Sequence, residues 1–141
     1  MSVKQISVFI ENRPGKLAEA TRFIADNGIN LRALSIADTR DFGILRVICD
    51  EPEKAGEILK NGGYVTNLTD VLAVSIKDAP GSLAAILEII AGAGVSVEYT
   101  YAFLATRIKG AFMIFRVDDN VKAAAALAEA GIKTVNQSEM F

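Results

Sequence analysis

The sequence predicts an α+β fold: two tandem ferredoxin-like βαββαβ units with antiparallel sheets packed side by side. Three observations predict it. A pair of glycine motifs recurs at one spacing, hydrophobicity switches between period 2 and period 3.6 in the same order in each half, and the 141 residues are 51% hydrophobic and 23% charged, as in a compact chain.

The repeat fixes the organisation. Pro14-Gly15-Lys16-Leu17 returns 66 residues later as Pro80-Gly81-Ser82-Leu83, and Gly28-Ile29-Asn30-Leu31 returns at the same offset as Gly94-Val95-Ser96-Val97. Further on, Gly43 is matched to Gly110 and Lys54-Ala55 to Lys122-Ala123, so the offset drifts to 67 and then 68, as small loop insertions produce. The expected domains are 1–69 and 70–141. Their junction at Asn67, Thr69 and Asp70 is polar but has no Gly, Pro or Ser run of the kind that makes a flexible linker.

In each half the elements follow in order. Val3 to Ile10 alternates, with Ile6, Val8 and Ile10 on one face, which predicts a half-buried strand; its copy is Val71 to Lys77. Pro-Gly then opens a helix striped by Leu17, Ala20, Thr21 and Ile24, and in the copy by Leu83, Ile86, Leu87 and Ile90. Gly28 and Gly94 end these helices as the residue just past the cap. Asn30 to Ala37 with Gly43 to Cys49, and Val95 to Leu104 with Gly110 to Val117, predict hairpins. Second helices span Pro52 to Lys60 and Val121 to Ala130, stopped by Gly62-Gly63 and Gly131, and extended tails at Tyr64 to Asn67 and Lys133 to Asn136 close the units.

Composition narrows the function. There is no His, which removes His-based acid-base and nucleophilic catalysis and His-ligated metals. Fifteen Lys and Arg, scattered singly, against seventeen Asp and Glu offer no basic field for nucleic acid. Cys49 stands alone in a strand and is expected as a small buried hydrophobe. Asp118-Asp119 precedes a helix and is read as capping, so no metal and no cofactor are expected. Met1 to Ile10 lacks the basic and apolar regions of a secretory leader, and no stretch approaches a membrane span, so a cytoplasmic location without membrane contact is expected. Tyr99, Tyr101 and Phe103 alternate as one face of a strand, where they pack or line a pocket.

The candidate site lies where the first strand meets the first helix. Pro suits the first helical position, and Asn12 or Asp78 stands where a side chain caps free N–H groups. Gly just inside a helix costs about 1 kcal/mol against Ala, yet it occurs at the same place in both repeats, and a missing Cβ lets a ligand approach the backbone. Free amides and the positive helix end suit a small carboxylate. Capping alone and ligand binding both remain open on these residues.

The whole chain resembles two tandem ACT domains, the regulatory modules attached to many enzymes of amino-acid metabolism. Glu11-Asn12-Arg13-Pro14-Gly15-Lys16-Leu17 followed by Gly28-Ile29-Asn30-Leu31, and Asp78-Ala79-Pro80-Gly81-Ser82-Leu83 followed by Gly94-Val95-Ser96-Val97, carry the resemblance. It implies an amino acid bound at the seam of two modules, one supplying the first loop and the other the start of its second strand. One pocket would then combine Asn12, Arg13, Pro14, Gly15 and Leu17 with Ser96, and its mate Asp78, Ala79, Pro80, Gly81 and Leu83 with Asn30. Where serine-sensing members hold a His, this chain has Ile10 and Ile76, which favours a ligand with more apolar surface.

The expected function is a free-standing, non-catalytic regulatory module that binds a small amino acid or related carboxylate and signals to a separate enzyme. A structural association module without ligand is the alternative. A small ferredoxin-like enzyme or an RNA-recognition domain fits less well, since the Arg-bearing phosphate loop is missing and Gly43-Ile44-Leu45-Arg46-Val47 is aliphatic where stacking aromatics belong. A homodimer is expected because helices cover one sheet face only. The Asp78 and Asn30 pocket is expected to bind more tightly than the Asn12 and Ser96 pocket, because it alone has a carboxylate for the ligand's ammonium.

Overall fold

The structure, a computed structural model, describes residues 2–38, 40–103 and 111–140. Its elements run β1 (Val3–Glu11), α1 (Lys16–Asp26), β2 (Leu31–Asp38), β3 (Phe42–Cys49), α2 (Pro52–Asn61), β4 (Val65–Ile76), α3 (Ser82–Gly92), β5 (Val97–Phe103), β6 (Ala111–Val117), α4 (Asn120–Glu129), β7 (Thr134–Val135) and α5 (Gln137–Met140). Two compact units emerge, one of Lys4–Thr69, the other starting at Asp70 and also taking in Val3.

In the first unit the strand order is β2-β3-β1-β4, and in the second β7-β4-β6-β5. β4 serves both, since its residues through Thr69 fall in the first unit and those from Asp70 in the second. The polar junction expected between two strands is therefore interior to one strand. Val65 to Val71 contains no Gly or Pro to break it, and its Val and Thr residues favour extended backbone. The extended tail expected at Lys133 to Asn136 is the two-residue β7, and the short α5 that follows it has no counterpart in the expected order.

Strand pairing shows how closely the repeats correspond. Val8 opposes Leu45 and Ile10 opposes Gly43 in the first unit, while Val74 opposes Met113 and Ile76 opposes Ala111 in the second. Gly43 thus corresponds to Ala111; the match to Gly110 was one residue short, and Gly110 itself, like Leu104, lies outside the described residues. A register shift between Leu31 and Ala33 is reproduced between Val97 and Tyr99. Five residues separate Ala37 from Gly43 and seven separate Phe103 from Ala111, so the whole change of offset from 66 to 68 falls in one hairpin.

Each core sits between one sheet face and two helices. Ile6, Val8, Leu45, Val47 and Cys49 pack on Ala20, Ile24, Ala55 and Leu59; their counterparts Leu72, Val74, Phe115 and Val117 pack on Ile86, Ile90, Ala123 and Leu127. Among the stripe residues Leu17 instead stays 40% exposed. The opposite sheet face divides. Phe9 and Phe42 are 44% and 53% exposed, as expected of an uncovered face, but Ala73, Phe112 and Ile114 are buried within the chain.

Cys49 is fully buried, and that burial pushes its thiol up from 9.0 to about 11. The unfolded chain therefore gives up this proton first, and stability falls as pH rises from about 9 to about 11, by about 1.4 kcal/mol per unit of displacement. Denaturation at pH 8 and pH 10.5 should show a larger drop for the natural chain than for Cys49→Ala.

All four long helices end the same way. Gly28 and Gly94 both adopt φ +75°; the Gly28 N–H donates to Ala25 O at 3.0 Å and the Ile29 N–H to Ile24 O at 3.2 Å, satisfying carbonyls left over at the helix end.

Candidate functional site

Pro-Gly does not open the first helix of either unit from within. The Lys16 N–H donates to Arg13 O at 3.2 Å across Pro14 and Gly15, and Gly15 has φ +83° and ψ −12°, which together make a type II turn with Pro second and Gly third. The second repeat matches it, with Ser82 N–H donating to Ala79 O at 3.3 Å and Gly81 at φ +86° and ψ −9°. Glycine is required here by the sign of φ and carries no helix-interior penalty, which corrects the expectation from sequence. A Cβ on either glycine would meet nothing within 4 Å, so the constraint is conformational.

Two substitutions of opposite sign follow. Gly81→Ala is expected to destabilise by about 1–2 kcal/mol through its left-handed φ. Gly56→Ala, in the interior of α2 where a Cβ also meets nothing within 4 Å, is expected to stabilise by about 0.5–1 kcal/mol. Urea denaturation midpoints check both.

The turn also moves the N-cap position onto Gly15 and Gly81, and no side chain caps either helix. Asn12 and Asp78 are therefore not the caps that the sequence suggested: the turn separates them from the first helical amides. The Asn12 N–H instead donates to Asp41 O at 3.0 Å. Because the turn uses the Lys16 and Ser82 amides, the first-turn amides of Leu17 and Ala18, and of Leu83 and Ala84, have neither an intrahelical acceptor nor a cap among the described residues.

Around the first loop the space is small and its charges are spent. A cavity of about 100 Å³ lies against Asn12, Arg13, Leu17, Ile36 and Leu45. Beside it Arg13 Nε pairs with Glu11 Oε2 at 2.7 Å, and Lys16 reaches Glu19 at 3.5 Å.

The second loop borders a cavity of about 1020 Å³. Its rim carries Lys77, Asp78, Ser82 and Lys133, and its walls are Ile76, Ile86, Phe103, Phe112, Met113 and Ile132. Lys133 is paired with Glu139 at 3.4 Å, whereas among the described residues neither Lys77 nor Asp78 is held in an ion pair. Counterpart positions explain part of the added room: Ala102 stands for Ile36, Ser82 for Lys16 and Ala85 for Glu19, although Ile86 in place of Ala20 runs the other way. Phe103 and Phe112 meet tilted at 35° with centroids 5.2 Å apart, while Tyr99 and Tyr101 stack on each other at 6.4 Å along β5.

At the second-strand starts the repeats also differ. Asn30 borders a cleft of about 80 Å³ with Asp50, Glu51 and Lys54, and Asp50 is gripped by the Arg32 guanidinium at 2.9 and 3.2 Å. The Ser96 backbone is closed on Asp118, whose Oδ1 accepts from the Ser96 N–H at 2.9 Å and whose own N–H donates to Ser96 O at 3.2 Å. Asp119 caps α4 by accepting from the Lys122 N–H at 3.0 Å, as read from sequence.

Of the expected site residues, Asn12, Arg13 and Leu17 share one cavity and Asp78 lines the other. Pro14, Gly15, Ala79, Pro80 and Gly81 shape the turns, and Leu83 packs against the second core. Asn30 and Ser96 lie at the opposite end of their own sheets from Asn12 and Asp78, because β1 and β2 both pair antiparallel to β3, and β4 and β5 to β6. Lys77, Ser82, Phe112, Ile132 and Lys133 also line the larger cavity and were not among the expected site residues, whereas Phe103 was expected to pack or line a pocket and does line it. Lys77 stood inside the recurring motif and was legible there; Ile132 and Lys133 had no local signal.

The structural comparisons agree with this doubled architecture. Protein BT0572 from Bacteroides thetaiotaomicron superposes with a TM-score of 0.90 at 38% identity, over 99% of this chain and 96% of that one. The regulatory subunit of aspartate kinase from Thermus flavus gives 0.64 at 18% identity over 91% and 92%, and its ligand-free counterpart from Thermus thermophilus 0.66 at 17% over 91% and 90%, likenesses of fold. No curated protein sequence matches the chain. Two βαββαβ units with the same turn, the same glycine terminators and the same register shift account for a family match that runs unbroken over residues 1–141, and on it the chain belongs to the ACT domain pair family.

Proposed function

We propose that this chain is a non-catalytic regulatory module of two ACT domains, 1–69 and 70–141, acting in the cytoplasm as a homodimer. It binds a small amino acid or related carboxylate and signals that state to a separate enzyme or regulator. The observation that carries the reading is the twice-built type II turn, which leaves first-turn amides without caps next to a cavity of about 1020 Å³ in the second unit. Within a unit the loop and the second-strand start lie at opposite ends of the sheet, so a ligand that meets both draws them from two modules. Asp78 with Asn30 is the proposed main pair, and Asn12 with Ser96 the lesser one.

Melting the protein against the common amino acids and their keto and aryl-acid relatives tests it. Ligand at 100 times its dissociation constant adds about 2.7 kcal/mol and raises the melting temperature by several degrees. The second reading, an association module without ligand, draws on the exposed Phe9, Leu34, Ile36 and Phe42 of the first unit. It is favoured if no compound shifts the melt while light scattering still reports a dimer; a mass that stays monomeric at micromolar concentration overturns the dimer.

A further inference from the structure

We infer that the second-unit cavity selects an α-amino acid with a large apolar side chain, aromatic or branched aliphatic, and that the first unit does not offer such a site. This rests on the reading that the Asp78 loop is the ligand site, and adds the ligand's class. Three observations on the cavity carry it.

First, its rim presents opposite charges on adjacent residues, Lys77 and Asp78, neither held in an ion pair among the described residues. A zwitterion answers both, carboxylate toward the Lys77 ammonium and ammonium toward the Asp78 carboxylate; a simple anion would answer one and be repelled by the other. Secondly, the lining behind the rim is apolar on both faces of the sheet end, Ile76, Ile86, Met113 and Ile132 on the helix side and Phe103 and Phe112 on the other. A polar side chain entering there loses water without gaining a partner, whereas an aryl or branched alkyl group gains from burial. Thirdly, the volume of about 1020 Å³ is at the top of the range for small-ligand pockets, which leaves room for a bulky side chain.

The first repeat supplies an internal contrast. There Glu11 replaces Lys77 and is paired with Arg13 at 2.7 Å, Ile36 replaces Ala102, and the cavity is about 100 Å³, less than a side chain of this class needs. One chain therefore carries the same loop in an accepting and a closed form.

Calorimetric titration of the full chain with L-phenylalanine, L-leucine, L-alanine and L-serine tests the inference, with Ala85→Phe and Lys77→Met as variants. Ala85 is an exposed residue of α3 on the cavity wall, and a ring there occupies the space proposed for the ligand. The natural chain should bind phenylalanine or leucine at least 10-fold more tightly than alanine or serine. Ala85→Phe should lose at least 10-fold of that affinity with the unliganded melt retained, and Lys77→Met should weaken all carboxylates alike. Serine or alanine binding as tightly as the large residues overturns the class and leaves the regulatory module standing. Unchanged phenylalanine affinity in Ala85→Phe overturns the cavity as its location. Absence of binding by all four, with no melt shift by any amino acid, overturns both readings.

Discussion

Phe115→Ala is expected to remove about 3–5 kcal/mol of stability. Phe115 is fully buried on the helix-facing side of β6, in one cluster with Leu72, Val74, Ile86, Ile90 and Leu127. Its partner across the strand pair is Leu72, also fully buried, so the void would be walled by sheet and helices that cannot collapse together without breaking the ladder. Against a total of about 5–15 kcal/mol for a typical domain, such a loss leaves the second unit marginal. Amide exchange should then show the protection of β6 and α4 falling well before that of β1 and α1. A loss under about 1.5 kcal/mol would mean that the site relaxes around the missing ring and that Phe115 is not the anchor of this core.

How much was legible in the sequence depended on how local the deciding physics was. Gly28 and Gly94 were readable as helix terminators because a left-handed φ just past a helix is a local demand that glycine meets best, and both have φ +75°. Pro14-Gly15 was misread although it is just as local, because Pro-Gly suits both a helix start and the middle of a type II turn. The sign of φ at Gly15 separates the two, and it follows from how the chain must reverse after β1. The polar residues of the expected junction, Asn67, Thr69 and Asp70, are equally compatible with a loop and with an exposed strand, and only the pairing partners of β4 decide between them. The cavity was the least legible. Its rim, Lys77 and Asp78, stands inside the recurring motif, but its walls bring Ala102 from β5, Phe112 from β6 and Ile132 from beyond α4 to one place, and no short-range pattern announces that meeting.

Asp78→Ala is expected to weaken amino-acid binding by about 1.5–3 kcal/mol, roughly 10- to 150-fold, while Asn12→Ala changes it less than about twofold. The two residues hold equivalent positions after the first strand of their units, so local geometry cannot separate them: both precede a type II turn and a helix with no side-chain cap. Charge and space do separate them. Asp78 brings a carboxylate to the edge of about 1020 Å³ beside Lys77, whereas Asn12 is neutral, lies between the paired Glu11 and Arg13, and faces about 100 Å³. An ammonium approaching Asp78 gains a charge-assisted hydrogen bond, and the same group approaching Asn12 gains at most a neutral one. Glu11, in the place of Lys77, also puts a negative charge where the ligand carboxylate would lie. Both side chains are exposed, so truncation should leave the unliganded melt unchanged and calorimetry should read binding alone. If Asp78→Ala binds as the natural chain does and Asn12→Ala abolishes binding, the first loop is the receptor, and the larger cavity of the second unit has another use.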